Sequence, residues 1–205
     1  MKHLLFLEKN VEQKGSDEIQ STADMTVPQV TSSYYTTSSG TKTHFLRAGK
    51  PSGSLFICLH GLGGSTETFI PLLPFLPQNY NIVLVDFQGC GKTPLNDSKK
   101  QLSITGHVTD LDNLISHLET PATNKRPEES GVTILGHSLG AIVALQYAAQ
   151  FPHRVKGLIL LGAGRAAGHI PAARKRMLDL AATVRKEGMG PAADIAVKSN
   201  FYDDT

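Results

Sequence analysis

Two cysteines, Cys58 and Cys90, are all the chain has, too few for the disulfide framework that holds small secreted domains together. Cys58 lies inside the apolar stretch Leu55-Phe-Ile-Cys-Leu59, where a thiol behaves as a small hydrophobe. A reducing, cytoplasmic setting is therefore the expectation. No apolar run approaches the length of about 20 residues that a membrane-spanning helix needs. His3-Leu-Leu-Phe-Leu7 is too short for a signal-peptide core, and Glu8 interrupts it. Strong charge is missing as well. The net charge is +2 and no basic cluster exceeds Arg174-Lys-Arg176, so neither nucleic acid nor a membrane is expected as a partner. Asn96-Asp-Ser98 fits the glycosylation pattern, which chance explains better.

What is present is enough for a folded domain. The chain has 205 residues, of which 40% are hydrophobic and 19% charged, which excludes a disordered composition. Residues 1–30 are polar, without periodicity, and read as a disordered tail, with Met25 a plausible alternative start. Ser33 to Thr37 and Thr43 to Ala48 read as a hairpin turned by Ser39-Gly40. Leu55 to Leu59, Asn81 to Phe87 and Val155 to Leu161 are apolar runs expected of strands buried on both faces. Helices are expected at Thr66 to Leu76, Ser103 to Leu118, Pro171 to Lys186 and Pro191 to Lys198, the last two parted by Gly188-Met-Gly190. Glu119 to Gly131 reads as a polar surface loop. Alternation of strand and helix predicts an α/β fold with a mostly parallel sheet covered on both faces.

The chain is organised around Val132-Thr-Ile-Leu-Gly-His-Ser-Leu-Gly-Ala141. A buried strand runs into Gly136-His-Ser-Leu-Gly140, and an apolar helix follows to Gln150. This is G-x-S-x-G in a strand-turn-helix setting. Reversing the chain within one residue strains the serine backbone, and glycines before and after it leave room for strand and helix to approach. Ser138 Oγ then stands at the head of a helix, and the Leu139 backbone N–H faces the place where an oxyanion would form. The competing reading is a serine that only caps the helix. Upstream, His60-Gly-Leu-Gly-Gly64 follows a strand at once, so the Leu62 N–H is the second oxyanion donor expected; the bland alternative is a loop that merely turns the chain.

Two cofactor motifs are tempting and fail. Gly91-Lys92-Thr93 lacks the P-loop glycine five residues earlier, where Asp86 stands. Gly162-x-Gly164 with Gly168 lies late in the chain and has no acidic residue ending a following strand. His107 and His117, within an amphipathic helix, read as surface or core histidines. No cofactor and no metal is expected.

The His60-Gly61 loop, the Asp86-x-x-Gly-x-Gly91 loop and Gly136-His-Ser-Leu-Gly140 occur in the order and spacing of the α/β-hydrolase family, which residues 31–168 resemble. The resemblance implies a three-layer core over 31–168, Ser138 as nucleophile, and the Leu62 and Leu139 N–H groups as the oxyanion hole. Gln88 stands where that family usually has arginine, which puts the pairing of the Asp86 loop in question. Residues 169–205 would begin a helical cap. Ala181 to Met189 and Ala192 to Ala196 resemble the first cap helices of 3-oxoadipate enol-lactonases. That likeness implies a small ester or lactone as substrate, with Arg174 or Arg185 steering a carboxylate; exposed helix charge is the plainer reading of both arginines.

A serine hydroxyl needs a base, and the base an orienting acid. The family order is serine, acid, histidine. After Ser138 the only histidines are His153, expected at the surface, and His169, and Asp203 and Asp204 fall in a tail. The acid, the base and the last strands are therefore expected beyond Thr205, the chain being C-terminally truncated and the edge at Val155 to Leu161 unpaired. The alternatives are an inactive fragment, a non-catalytic binding protein with this fold, and an enzyme using the same elbow for another reaction.

Overall fold

A computed structural model describes residues 28–97, 101–119, 131–163 and 170–200, with side chains described up to 195. The polar tail up to residue 27, the loop at 120–130, Gly164, Gly168, His169, Asp203 and Asp204 lie outside the described residues. The chain divides into two compact units, Met1–Ala163 and Gly164–Thr205.

The first unit is built on one mixed sheet. In chain order its strands are β1 (Thr31–Thr36), β2 (Lys42–Gly49), β3 (Leu55–Leu59), β4 (Asn81–Val85), β5 (Val132–His137) and β6 (Val155–Leu161). Across the sheet the order is β1-β2-β4-β3-β5-β6. β1 and β2 form the antiparallel hairpin expected, turned at Gly40, and β2 runs antiparallel to β4. From β4 through β3 and β5 to β6 all pairings are parallel. The sheet is therefore mostly parallel, as the alternating pattern requires.

Both faces are covered, and the pleat decides which residue goes where. Ile57, Leu59, Val83, Val85 and Ile134 face α1 (Ile104–Leu118) and α2 (Leu139–Gln150), whose Val108, Leu111, Leu114, Val143 and Tyr147 complete that core. Phe56, Cys58, Ile82, Leu84 and Leu135 point the other way, against Phe69 and Leu73. Those two belong to the helix expected here, Thr66–Phe75, which takes the 3-10 form rather than the α form. Pro71 and Pro74 explain the difference, since each removes an N–H that an α-helical ladder would use. Ser103 caps α1 by accepting the Gly106 N–H at 3.1 Å.

β6 is the outermost strand on its side among the described residues. It is less covered than β3 to β5: Ile159 and Leu161 stay 41% and 43% exposed, so this edge is apolar and accessible.

The second unit contributes α3 (Pro171–Glu187) and α4 (Met189–Asn200), which pack against each other. Gly188, at φ 84°, ends α3 in a conformation other residues avoid. α4 starts two residues earlier than expected, at Met189, because Gly190 in a first helical turn does not break the helix.

Candidate active site

β5 leaves the sheet at His137 and α2 begins at Leu139, so the reversal falls on Ser138 alone. Ser138 has φ 51° and ψ −110°, and among the described residues no other non-glycine has positive φ. Such a conformation costs on the order of 1–3 kcal/mol and persists only where the surroundings enforce it. They do. The Ser138 N–H donates to the Leu161 carbonyl of β6 at 2.9 Å, and the Gly140 N–H donates to the His60 carbonyl at 3.1 Å. The Ala141 and Ile142 N–H groups close on the Ser138 carbonyl at 3.1 and 3.2 Å.

The flanking glycines are needed for the reason expected, in a sharper form. A Cβ on Gly136 would lie 2.5 Å from the Gly140 carbonyl oxygen, inside the elbow itself. A Cβ on Gly140 would strike the Leu59 carbonyl, because α2 starts hard against the end of β3. Ser138 makes no side-chain capping bond, which removes the capping alternative. Its Oγ has no hydrogen bond among the described residues.

The glycine loop lies against this turn. A Cβ on Gly61 would come within 2.9 Å of His137 Nδ1 and 3.2 Å of Ser138 Cβ. The loop turns tightly, with the Gly64 N–H donating to the Gly61 carbonyl at 3.0 Å and Gly63 at φ 75°. His60 holds it from below. The Phe87 N–H donates to His60 Nε2 at 3.1 Å, so Nε2 is bare and the proton sits on Nδ1, which donates to the Gly61 carbonyl at 2.7 Å. The ring is fully buried, and burial pushes its pKa below the usual histidine value; the bond to Gly61 and the Asp86 charge oppose this, and His137 adds to it. His60 is thus a neutral strut, a role its position in the glycine loop did not announce. Neither the Leu62 nor the Leu139 N–H has a hydrogen-bond partner among the described residues, and the Leu62 side chain is exposed.

The Asp86 loop is paired without any arginine at Gln88. Asp86, at 1% exposure, accepts from the Thr66 N–H at 2.6 Å, the Lys92 N–H at 2.9 Å and His44 Nδ1 at 2.7 Å. Gly91, at φ 52°, wraps so closely around this carboxylate that a Cβ would overlap it. Cys90 is half-buried in the same loop, and burial raises its thiol pKa against the lowering effect of the Gly63 backbone. The Asp86 and glycine loops are joined directly where the Phe87 N–H meets His60 Nε2.

No described histidine is hydrogen-bonded to Ser138. His137 is exposed beside it, His107 is buried against Phe87, His117 stacks on Tyr35 at 4.2 Å, and His153 sits exposed in the turn before β6. A serine–histidine–aspartate chain does exist, but elsewhere. Ser32 Oγ bonds His44 Nε2 at 2.9 Å, and His44 Nδ1 donates to Asp86. No group of histidine, cysteine and acidic residues suited to a metal ion is found among the described residues. Arg174 and Arg185 are both exposed on α3.

Comparison with known proteins agrees with this architecture. The model of the α/β hydrolase fold family matches residues 54–187. An uncharacterized protein of Mycobacterium tuberculosis is 32% identical over 113 residues, 55% of this chain and 30% of that protein. The cis-3-alkyl-4-alkyloxetan-2-one decarboxylase of Shewanella oneidensis is 24% identical over 139 residues, 67% of this chain and 40% of that enzyme. The chain thus spans less than half the length of these curated relatives. Among solved structures, a hydrolase from Pseudomonas aeruginosa superimposes with a TM-score of 0.69 at 23% identity, over 84% of this chain and 59% of that one. With the elbow, the glycine loop and the mostly parallel sheet in place, the chain belongs to the α/β hydrolase fold family.

Proposed function

We propose that this chain supplies the nucleophile and the oxyanion hole of a serine hydrolase acting on a small carboxylic ester or lactone. Ser138 Oγ attacks the carbonyl carbon and its proton passes to a base. The carbonyl oxygen, now negative, is held by the Leu62 and Leu139 N–H groups. The alcohol leaves with the proton, and water then hydrolyses the acyl-serine. One observation carries the reading: the strained Ser138, whose hydroxyl caps nothing. The loop contact at Gly61 supports it by setting the Leu62 turn beside the serine. The similarity to an enzyme named for an oxetan-2-one, a cyclic ester, supports the lactone class; a 3-oxoadipate enol-lactone is the specific substrate we put forward.

The base and its acid are to come from outside the described residues, none of whose histidines engages Ser138. That same lack favours the second reading, a binding protein that keeps fold and pocket without turnover. One experiment separates them. In the full-length protein, Ser138→Ala is expected to abolish hydrolysis of p-nitrophenyl acetate and of a small lactone, a rate loss on the order of 10⁴ to 10⁶. Undiminished hydrolysis overturns the nucleophile assignment, and a wild type with no turnover, yet saturable lactone binding, leaves the second reading standing.

A further inference from the structure

The end of the sheet away from Ser138 holds a cavity that ester cleavage does not use. β2 runs out at Gly49 exactly opposite Asn81, the first residue of β4, whereas Ser138 follows the other end of the parallel strands. At about 3.3 Å of rise per residue, a strand of β4's length puts roughly 15 Å of sheet between the two ends. The cavity measures about 620 Å³, and Thr31, Ser33, Arg47, Lys50, Gln78 and Asn81 contribute to its wall.

Its charge is unbalanced. Arg47 and Lys50 both line it, and among the described residues no carboxylate does. Neither cation has an ion pair among the described residues. Asn81 is only 4% exposed, and its amide orientation follows from chemistry. Arg47 Nε and Nη2 lie 3.3 and 3.2 Å from Oδ1, and a guanidinium can only donate, so the carbonyl oxygen must face it. That leaves the Asn81 Nδ2 donors with no acceptor among the described residues. No side-chain nitrogen or oxygen among the described residues is both sealed from solvent and unpaired. The free Nδ2 therefore opens onto accessible space, and the cavity is the space Asn81 lines. Gln78 adds wall only, since its Nε2 is committed to the Leu73 and Leu76 carbonyls at 2.7 and 2.8 Å.

Two unneutralised cations, a nearly buried amide donor and two hydroxyls converge here, and the complement they lack is a dianion with several acceptor oxygens. We propose that this cavity binds a small phosphate monoester, its phosphate held by Arg47, Lys50 and the Asn81 side-chain amide. A lone carboxylate offers one charge and two oxygens, too few for this set of donors. The volume leaves room for the organic group.

The test is titration of the full chain with inorganic phosphate and with glycerol phosphate at constant ionic strength, followed by the side-chain amide resonance of Asn81. Saturable shifts are expected, with affinity for either ligand at least tenfold above that for acetate. Lys50→Gln, at an exposed position, and Arg47→Gln are each expected to weaken binding at least tenfold while ester turnover through Ser138 is unchanged by Lys50→Gln. Potassium chloride giving the same shift, acetate binding as tightly, or full affinity in both variants would each overturn the proposal. Because ester turnover is read separately, failure here leaves the Ser138 assignment untouched.

Discussion

Ser138 and Ser32 show how little residue identity says without its setting. Ser32 has what Ser138 lacks: its hydroxyl is bonded to a histidine that is bonded in turn to a buried aspartate. Ser138 has what Ser32 lacks: a left-handed backbone, a helix beginning at its own carbonyl, and a glycine loop against its Cβ. The Ser32 chain is a clamp. Its aspartate also accepts two backbone N–H groups, so the carboxylate is saturated by structure, and Ser32 itself lies on an ordinary strand. The elbow is the reverse, a strained backbone position whose own hydroxyl is left unbonded among the described residues. Proton-relay connectivity alone does not make a site; a place for developing charge is also needed.

This contrast can be broken by substitution. Asp86→Ala removes a carboxylate that anchors His44, the start of the 3-10 helix and Lys92, and leaves two buried donors, His44 Nδ1 and the Thr66 N–H, without an acceptor. It is expected to destabilise by about 3–5 kcal/mol in urea denaturation. Gly140→Ala drives a Cβ into the Leu59 carbonyl and is expected to lower stability by about 3 kcal/mol, with ester turnover falling as the elbow shifts. A variant as stable as the wild type would show that α2 has slack at the elbow, against the geometry described.

Acid sensitivity sharpens the same point. Burial holds both His60 and His107 below the ordinary histidine pKa, so the unfolded chain takes up protons that the folded chain refuses. Their contribution is complete above about pH 6.5 and is lost as the pH falls below it. His107→Asn is expected to flatten the decline in stability between about pH 7 and pH 5. An unchanged slope would place the acid sensitivity elsewhere. Smallest of all, Ser32→Ala should cost about 1 kcal/mol of stability and leave ester turnover as it was.

Much of the frame was legible because it is local. Apolar runs such as Leu55 to Leu59 name buried strands, and glycines spaced around a serine name a turn that only glycine permits. Pro71 and Pro74 carried a signal that the apolar pattern of that segment overrode; their missing N–H groups were the cue to a 3-10 helix. Gly190 misled in the opposite way, since a glycine in a first helical turn stops nothing. The Asp86 hub was illegible for a different reason. Its partners lie 42 residues before it, 20 before it and 6 after it, and no spacing rule joins them until the sheet brings β2 beside β4. With that hub formed, Gln88 needs no arginine in its place. The neutral state of His60 was hidden likewise, because its proton position depends on the Phe87 N–H.

The most direct measurement is covalent trapping of the full-length protein with a fluorophosphonate, followed by peptide mass spectrometry to find the modified residue. One adduct is expected, on Ser138, lost in Ser138→Ala and retained in Ser32→Ala. An adduct on Ser32, or labelling that survives Ser138→Ala at full extent, would contradict the Ser138 assignment.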